Sequence, residues 1–251
     1  MTRVEVLGVG FDPVDLSGAV ERVAAFAADR TAHLVVTANV EMVVAARRAP
    51  DLRDILARAA LVVADGVGVV WGSRQLGRPL PGRVPGIDLA TRLCGEAARR
   101  GWRVYLLGGA PGVAAAAAAR LRESHPRITI VGTGSGYFGS DEDRDVVQAI
   151  RDASPTLLLA GLGSPQQERW LSRHLEALGA PVAMGVGGTI DVWAGRARRA
   201  PRIMQALGLE WCYRLIRQPR RLGRQMAIPY FMAAVCRERL RTVSSRSRRS
   251  P

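Results

Sequence analysis

Short apolar runs alternate with longer amphipathic segments along most of the chain. The runs are rich in Val, Ile and Leu, and several are apolar on both faces, which is typical of strands in a parallel sheet covered by helices. They span residues 4–9, 33–38, 61–65, 103–108, 128–132, 156–161 and 181–186. Helical spacing marks residues 16–30, 50–60, 87–100, 112–124, 142–153 and 165–178. This alternation predicts an α/β fold with an open, mostly parallel, Rossmann-like sheet flanked by helices.

The pattern changes after about Gly195. Apolar residues recur at helical spacing over 206–217, and a second apolar segment over 226–235 lies between arginines. The change divides the chain into three predicted parts: an α/β core over 1–195, a basic helical C-terminal appendage over 196–241 and a disordered tail over 242–251.

Positive charge is concentrated at the C-terminal end. Residues 1–195 contain 21 Arg against 20 Asp plus Glu, whereas residues 196–251 contain 15 Arg against only Glu210 and Glu238. The formal net charge of +14 therefore belongs to the last part of the chain. A basic amphipathic segment of this kind favours an anionic lipid surface or a phosphorylated ligand. Nucleic acid is disfavoured as a partner because no recognised nucleic-acid motif accompanies the arginines.

The remaining composition narrows the class of protein. The three cysteines show neither a zinc spacing nor a disulfide framework, which indicates a reduced compartment. The N-terminus lacks a signal-peptide pattern, and no apolar run approaches the ~20 residues that span a bilayer. The chain has no G-x-S-x-G, H-E-x-x-H or paired-Cys motif, so hydrolase triads and zinc chemistry have little support. We expect a cytoplasmic protein whose membrane contact is peripheral.

Glycines, amides and carboxylates follow the predicted strands. Asn39 and Asp65 each come directly after a strand, and later strands lead into GGAPG, GTGSGYFG, GLGSPQQE and GVGGTID. Because ligands of open parallel sheets bind beyond the carboxyl ends of the strands, we expect a binding site at this edge.

The glycine-rich loops are candidates for holding a phosphate or ribose. GGAPG, with Gly108 and Gly109, precedes an Ala-rich helix whose N-terminal N–H groups favour anions, although a plain strand-to-helix turn is an equal alternative. GSGYFG spells a dinucleotide-binding loop, but it follows a middle strand and leads into the acidic SDEDRD, which disfavours pyrophosphate. Gly136, Tyr137 and Gly163 complete this group of possible donor-loop residues.

Two polar positions allow both a structural and a chemical interpretation. Asp65 ends an apolar run and precedes Gly66, so it is either a half-buried base or the N-cap of a helix beginning near Val67. The spacing alone does not choose between them. In SPQQE, Ser164 reads as an N-cap, Pro165 as the first helical residue and Gln167 as the partner in a capping box.

Several motifs, taken in order, resemble the WecG/TagA/CpsF glycosyltransferase family from about residue 4 to 224. They are TANVEMVVAARRAPDLRDIL, LVVADGVGVVWGSRQLGRPLPGRVPGIDL, VYLLGGAPGVAAAAAARL, GYF, GLGSPQQERW, GVGGTIDVWAGRARRAP and LGLEWCYRLIRQPRRLGR. The resemblance implies a bacterial enzyme of cell-wall or surface-glycopolymer synthesis, such as teichoic acid. It would transfer an N-acetylmannosamine-type sugar from a UDP-sugar to a polyprenyl-diphosphate-linked GlcNAc acceptor, with inversion and without a metal or other cofactor.

Carried over to this chain, the resemblance makes Asp65 the catalytic base. It also implies seven substrate-binding side chains, four near the pocket and three in the appendage: Thr37, Asn39, Arg83, Gln167, Arg214, Arg221 and Arg224. The chemistry agrees, because inverting transfer needs a base for the acceptor hydroxyl, and Arg can neutralise a diphosphate without metal. The chain has two overlapping D-x-D sequences, 141–143 and 143–145, and both lie in one acidic helix start, which does not favour a metal site there.

The appendage would also dock on the inner face of the cell membrane. Anionic lipids attract nearby basic residues by about 1 kcal/mol each. Five apolar side chains between the arginines are candidates for shallow insertion: Met226, Ile228, Tyr230, Phe231 and Met232.

Several alternatives stay open at this point. The donor is UDP-N-acetylmannosamine, its uronic acid or another UDP-hexose of exopolysaccharide synthesis, and the appendage closes in cis or, in a homo-oligomer, in trans. A nucleic-acid-binding protein and an NAD-dependent oxidoreductase are remote alternatives. The second is disfavoured because no dinucleotide-binding glycine motif follows the first strand.

Overall fold

The computed structural model describes residues 2–29, 31–217, 223 and 226–247, with the backbone alone at 206, 214, 217 and 242–247. The strands of this part of the chain are β1 (Val4–Val6), β2 (Val9–Phe11), β3 (His33–Ala38), β4 (Leu61–Ala64), β5 (Arg103–Gly108), β6 (Thr129–Gly134), β7 (Leu157–Gly161) and β8 (Val182–Gly185).

Six of these strands form one parallel sheet in the order β4-β3-β8-β7-β5-β6, which confirms the predicted fold class. The strand predicted over 4–9 is instead the first half of an antiparallel hairpin, β1–β2, which turns at Leu7 and Gly8. Both turn residues have positive φ, of 52° and 85°, a conformation that ends a strand.

The described helices are α1 (Leu16–Ala28), α2 (Val40–Ala46), α3 (Pro50–Arg58), α4 (Val67–Gln75), α5 (Gly86–Arg100), α6 (Val113–Ser124), α7 (Asp143–Asp152), α8 (Gln166–His174), α9 (Thr189–Trp193), α10 (Arg202–Ala206), α11 (Glu210–Arg217) and α12 (Ala227–Ser247). No helix in the described part of the chain is long and apolar enough to cross a membrane.

Two hydrophobic clusters cover the two faces of the sheet. Val36 and Val62 point into the cluster that contains α2, α3, α4, α8 and α12, whereas Val35 and Val63 point into the cluster of α1, α5, α6 and α9. This follows from the alternation of side chains along a strand, and it explains why the predicted strands are apolar throughout.

The prediction of one continuous helix over 206–217 is wrong. Gly208, whose φ is +72°, separates α10 from α11. A Cβ at Gly208 would lie 2.4 Å from Val67 Cγ1, so only glycine permits this close approach to α4.

Helix α12 is anchored to the core by Phe231. This side chain is 1% exposed. Its ring packs directly against Gly72 of α4, where an added Cβ would lie only 2.7 Å from Phe231 Cζ. Phe231 therefore belongs to the core and is not available for lipid contact, contrary to our expectation. Met226, Tyr230 and Met232 are exposed. The predicted tail begins inside α12, residues 248–251 lie outside the described residues, and the domain boundaries stay predictions.

Candidate active site

Asp65 lies at the carboxyl edge of the sheet, directly after β4. Its backbone N–H donates to Ala38 O at 2.9 Å, which holds it beside the end of β3, and its side chain is half-buried as expected. The N-cap of α4 is Gly66, with φ +113°, which has no side chain. The capping interpretation of Asp65 is therefore wrong, while its role as a base stays a prediction.

Asn39 and Thr37 reach the same edge from β3. Asn39 is the N-cap of α2, where its Oδ1 accepts a hydrogen bond from Met42 N at 3.0 Å. The Thr37 hydroxyl faces the start of α5, since a Cβ at Gly86 would be 2.8 Å from Thr37 Oγ1. Thr37 therefore lies behind the edge, whereas Asn39 faces the cavity described next.

A cavity of about 450 Å³ brings Asp65, Asn39 and Arg83 together. Asn39 and Asp65 follow strands, whereas its other charged groups, Glu41, Arg83 and Glu210, come from α2, a loop and α11. Helices supply its apolar wall: Val40, Val67, Trp71, Trp211, Ile228, Phe231 and Met232. We call it the Asp65 cavity. Because Trp211 belongs to α11 and Met232 to α12, the appendage forms one side of it.

Arg83 is held between the core and the appendage. Val84 N donates to Ala64 O at 2.8 Å, which places the Arg83 loop next to the end of β4. The Arg83 guanidinium donates to Gln205 O at 2.5 Å and lies 4.0 Å from the Glu210 carboxylate. Two contacts of Arg83 are therefore made with the appendage.

Glu210 continues this connection into a chain of ion pairs. Its other carboxylate oxygen accepts from Arg199 Nε at 3.1 Å, and Arg199 also donates twice to Asp88, at 2.5 and 2.9 Å, in the first turn of α5. The hydrogen bonds to Asp88 raise the pKa of Arg199 above its ordinary value. The sequence did not point to Asp88, Arg199 or Glu210 as residues of the site. One signal existed, because Glu210 is one of only two acidic residues after position 195.

Gln167 is buried, at 5% exposure, and does not line the Asp65 cavity. Its Nε2 donates to Glu168 Oε1 at 2.6 Å, and its Oε1 accepts from Gly187 N at 3.0 Å. Helix α8 begins at Gln166 without a side-chain cap, so the predicted capping box is wrong. Gln167 thus connects α8 to the loop after β8. Burial raises the pKa of Glu168 above its ordinary value, although its hydrogen bond from Gln167 opposes the shift.

The glycine-rich loops lie over β5, β6 and β7. The connections that follow β5 and β7 leave these neighbouring strands in opposite directions, toward β6 and β8, and such a switch point creates a binding crevice. Gly108 and Gly161 meet here backbone to backbone, since a Cβ at Gly108 would be 2.7 Å from Gly161 O. Gly136 N donates to Gly109 O at 2.8 Å. We call this place the glycine crevice.

The two other donor-loop candidates border the glycine crevice differently. Gly163 has φ +82° with open space where a Cβ would be, and Tyr137 is 76% exposed. Four strand spacings, or roughly 19 Å, separate β4 from β5 in the sheet. The Asp65 cavity and the glycine crevice are therefore suited to opposite ends of one extended ligand.

A second cavity, of about 620 Å³, lies beside the first and shares Asn39 and Glu41 with it. It extends to Ser164 and Pro165 after β7 and is covered by the start of α12, where the Arg48 guanidinium stacks 5.1 Å from the Tyr230 ring. Open space therefore extends from the Asp65 cavity toward the glycine crevice.

The described residues contain no cluster of three or more His, Cys, Asp or Glu side chains that could hold a metal ion. In the D-x-D sequences, Asp143 accepts from the Trp170 indole N–H and lies 2.9 Å from His174 Nε2. These contacts give Asp143 a structural role between α7 and α8.

The appendage arginines are only partly described. Arg214 lies in α11, whose backbone passes beside the Asp65 cavity through Trp211. Arg221 and Arg224 lie outside the described residues. Their contacts with substrate stay predictions.

Comparison with known proteins gives a consistent family assignment. Residues 4–245 match the family model described as "Glycosyl transferase WecG/TagA/CpsF family". The chain is also similar to proteins from Staphylococcus aureus strains MW2 and NCTC 8325 named "N-acetylglucosaminyldiphosphoundecaprenol N-acetyl-beta-D-mannosaminyltransferase". Each is 36% identical over 237 residues, which cover 94% of this chain and 92% of the relative.

Proposed function

This chain belongs to the WecG/TagA/CpsF family of glycosyl transferases, and on that premise we propose its substrates and mechanism. It transfers an N-acetylmannosamine-type sugar from a UDP-sugar to a GlcNAc carried on a polyprenyl diphosphate. The names of the relatives support this acceptor and this sugar. The reaction belongs to teichoic acid or related surface-polymer synthesis.

One observation supports the chemistry most: the Asp65 cavity brings the Asp65 carboxylate together with the Asn39 amide and the Arg83 guanidinium, and Glu41 and Glu210 also line it. In the proposed step, the Asp65 carboxylate takes the proton of an acceptor hydroxyl while that oxygen bonds to the anomeric carbon of the donor. The bond to the UDP oxygen breaks from the opposite face, which inverts the anomeric centre, and UDP leaves with the electron pair. General-base assistance of this kind contributes about 10²- to 10⁴-fold.

The donor nucleotide would lie over the glycine crevice, with its sugar directed toward Asn39. Main-chain N–H groups at the start of α6 suit phosphate oxygens. The appendage arginines Arg214, Arg221 and Arg224 would neutralise the departing diphosphate, which makes a metal ion unnecessary. We propose that the appendage acts at the membrane surface, where a lipid-linked acceptor is confined.

The test is acceptor-dependent release of UDP. Purified protein is incubated with UDP-N-acetylmannosamine, its uronic acid, UDP-GlcNAc and UDP-glucose, each with and without a short-chain lipid-diphosphate-GlcNAc. We expect UDP from the N-acetylmannosamine donor only when acceptor is present, an inverted anomer by NMR, and undiminished turnover in EDTA. Failure of every donor to give acceptor-dependent UDP would refute the proposal, and turnover with the uronic acid alone would reassign the donor.

A further inference from the structure

The wall of the Asp65 cavity contains apolar side chains that a soluble protein normally buries. Val67 of α4 is 42% exposed, Trp211 of α11 is 40% exposed and Met232 of α12 is 47% exposed, and all three line this cavity. Grouped exposed apolar side chains mark a binding surface for an apolar ligand or partner. The proposed base and these side chains share one cavity, so a ligand that reaches Asp65 also meets the apolar wall.

The chemistry of the wall matches an amphiphile. The proposed acceptor has a sugar hydroxyl, a diphosphate and an isoprenoid chain, in that order. Asp65 suits the hydroxyl. The guanidinium of Arg83 has five N–H donors. One donates to Gln205 O, and the Glu210 carboxylate lies 4.0 Å away, beyond hydrogen-bond distance, so other N–H groups can meet phosphate oxygens. The apolar side chains of α4, α11 and α12 then suit the isoprenoid.

We propose that the isoprene units next to the acceptor diphosphate lie between α4, α11 and α12, against Val67, Trp211 and Met232. This subsite rests on the proposed function and assigns a role that the reaction itself does not require. A bilayer surface is a weaker occupant because the three side chains come from three helices and line a concavity, which suits a chain better than a flat surface.

The test compares two acceptors in each variant. GlcNAc-diphosphate carrying either a methyl group or a two-unit isoprenyl chain is used below the critical micelle concentration, and kcat/KM is measured for each. The wild type should prefer the isoprenyl acceptor. Trp211→Ser and Met232→Ser should each lower this preference about tenfold, the order expected for lost methylene contacts in an apolar site. Because the ratio is taken within one variant, the fraction of folded protein cancels.

Two further variants complete the design. Val67→Thr keeps the shape of the side chain but replaces one methyl group with a hydroxyl. It should therefore also lower the preference, without creating a cavity. Leu240→Ser is the matched control, since Leu240 is 68% exposed on the same helix as Met232 but does not line the Asp65 cavity. It should keep the wild-type preference.

Three outcomes would overturn the inference. An unchanged preference in Trp211→Ser, Met232→Ser and Val67→Thr would remove the isoprenoid subsite and leave the proposed function standing. Weaker sedimentation of these variants with phosphatidylglycerol vesicles, at unchanged preference, would assign the side chains to bilayer contact instead. No turnover of either acceptor by the wild type would refute the proposed function, and the subsite with it.

Discussion

The glycine crevice and the Asp65 cavity, at the carboxyl edge of the sheet, are formed by different kinds of groups. At the glycine crevice, Gly108, Gly136 and Gly161 bring main chain against main chain, so the groups that face a ligand are mostly backbone N–H and C=O. At the Asp65 cavity, side chains from the core meet side chains from the appendage. The main chain therefore sets the shape of the crevice, whereas the shape of the cavity depends on how the appendage is docked.

This difference suits the two places to different substrates. A main-chain surface suits the donor nucleotide, whose phosphate oxygens can accept from backbone N–H groups. A cavity with a separate wall suits the acceptor, which must enter with a lipid attached. Variants at one end should then alter one substrate's parameters and leave the other's unchanged.

The largest expected effect comes from Asp65→Asn. It keeps the size of the side chain and removes the base, so kcat should fall about 10²- to 10⁴-fold. The Kd of the UDP-sugar, measured by calorimetry, should stay within twofold because the nucleotide would lie at the other end of the edge. Asp54→Asn, at an exposed carboxylate of α3, is the control and should retain wild-type turnover. A near-normal kcat in Asp65→Asn would remove the proposed base.

Gly108→Ala should show the opposite pattern. The added Cβ would lie 2.7 Å from Gly161 O at a φ of +153°, and the backbone cannot move away cheaply. We expect weaker donor binding by at least about tenfold and a free energy of unfolding lowered by about 1–3 kcal/mol. Calorimetry measures the Kd of the donor, and urea unfolding measures the free energy of unfolding.

Gly95→Ala in α5 is the matched control for this exchange. The nearest atom to its new Cβ is His125 Cε1 at 3.9 Å, so the donor Kd should be retained and the free energy of unfolding should rise by about 0.5–1 kcal/mol, as expected for Ala in a helix. Unaltered donor binding in a folded Gly108→Ala protein would show that the crevice is only a tight turn.

A smaller effect is expected from loosening the wall of the Asp65 cavity. Arg199→Gln breaks the connection between Asp88 and Glu210, so Arg83 and the appendage should be held less firmly. Because Arg199 and Asp88 are 23% and 32% exposed, we expect only about 1 kcal/mol, or a few-fold to tenfold, in kcat/KM for the acceptor.

A double-mutant cycle with Asp88→Asn sharpens this prediction. The two variants should be non-additive in acceptor kcat/KM and leave the donor Kd unchanged. Arg99→Gln, which breaks an exposed pair with Glu96, is the control and should have no effect. Additive or absent effects would mean that the ion pairs of Arg199 with Asp88 and Glu210 do not hold the appendage.

The smallest expected effect is a change in the pH dependence of stability, which depends on the buried Glu168 of α8. Burial raises the pKa of this carboxyl above its ordinary value of 4.5, so the folded state binds the proton more tightly than the unfolded state. Its contribution to stability is present below pH 4.5 and is lost as the pH rises through the folded pKa. Glu168→Gln should therefore gain in Tm relative to the wild type between pH 4.5 and 7. Exposed Glu176→Gln should show no such trend, and a parallel trend in both variants would contradict the assignment.

Local rules predicted some elements well and others poorly. The strands at His33–Ala38 and Arg103–Gly108 have the predicted bounds because a short, β-branched apolar run between helical segments is typical of a strand buried on both faces. The capping box at Ser164 fails because the Gln167 amide finds Gly187 N, twenty residues away, instead of the helix start. The helix over 206–217 fails because Gly208 packs on Val67.

The sequence by itself determined the parallel α/β sheet, the edge at which polar residues gather, and the family to which its motifs point. These features depend on periodicity and on residue order, which are local. Only the tertiary structure decided that Gln167 is buried, that Phe231 is core, and that Arg83 is tied through Glu210 and Arg199 to Asp88. These contacts join residues from different elements, with Arg83 and Gln205 122 positions apart and Arg199 and Asp88 111 apart, and no local pattern encodes which distant side chain satisfies a buried or charged group.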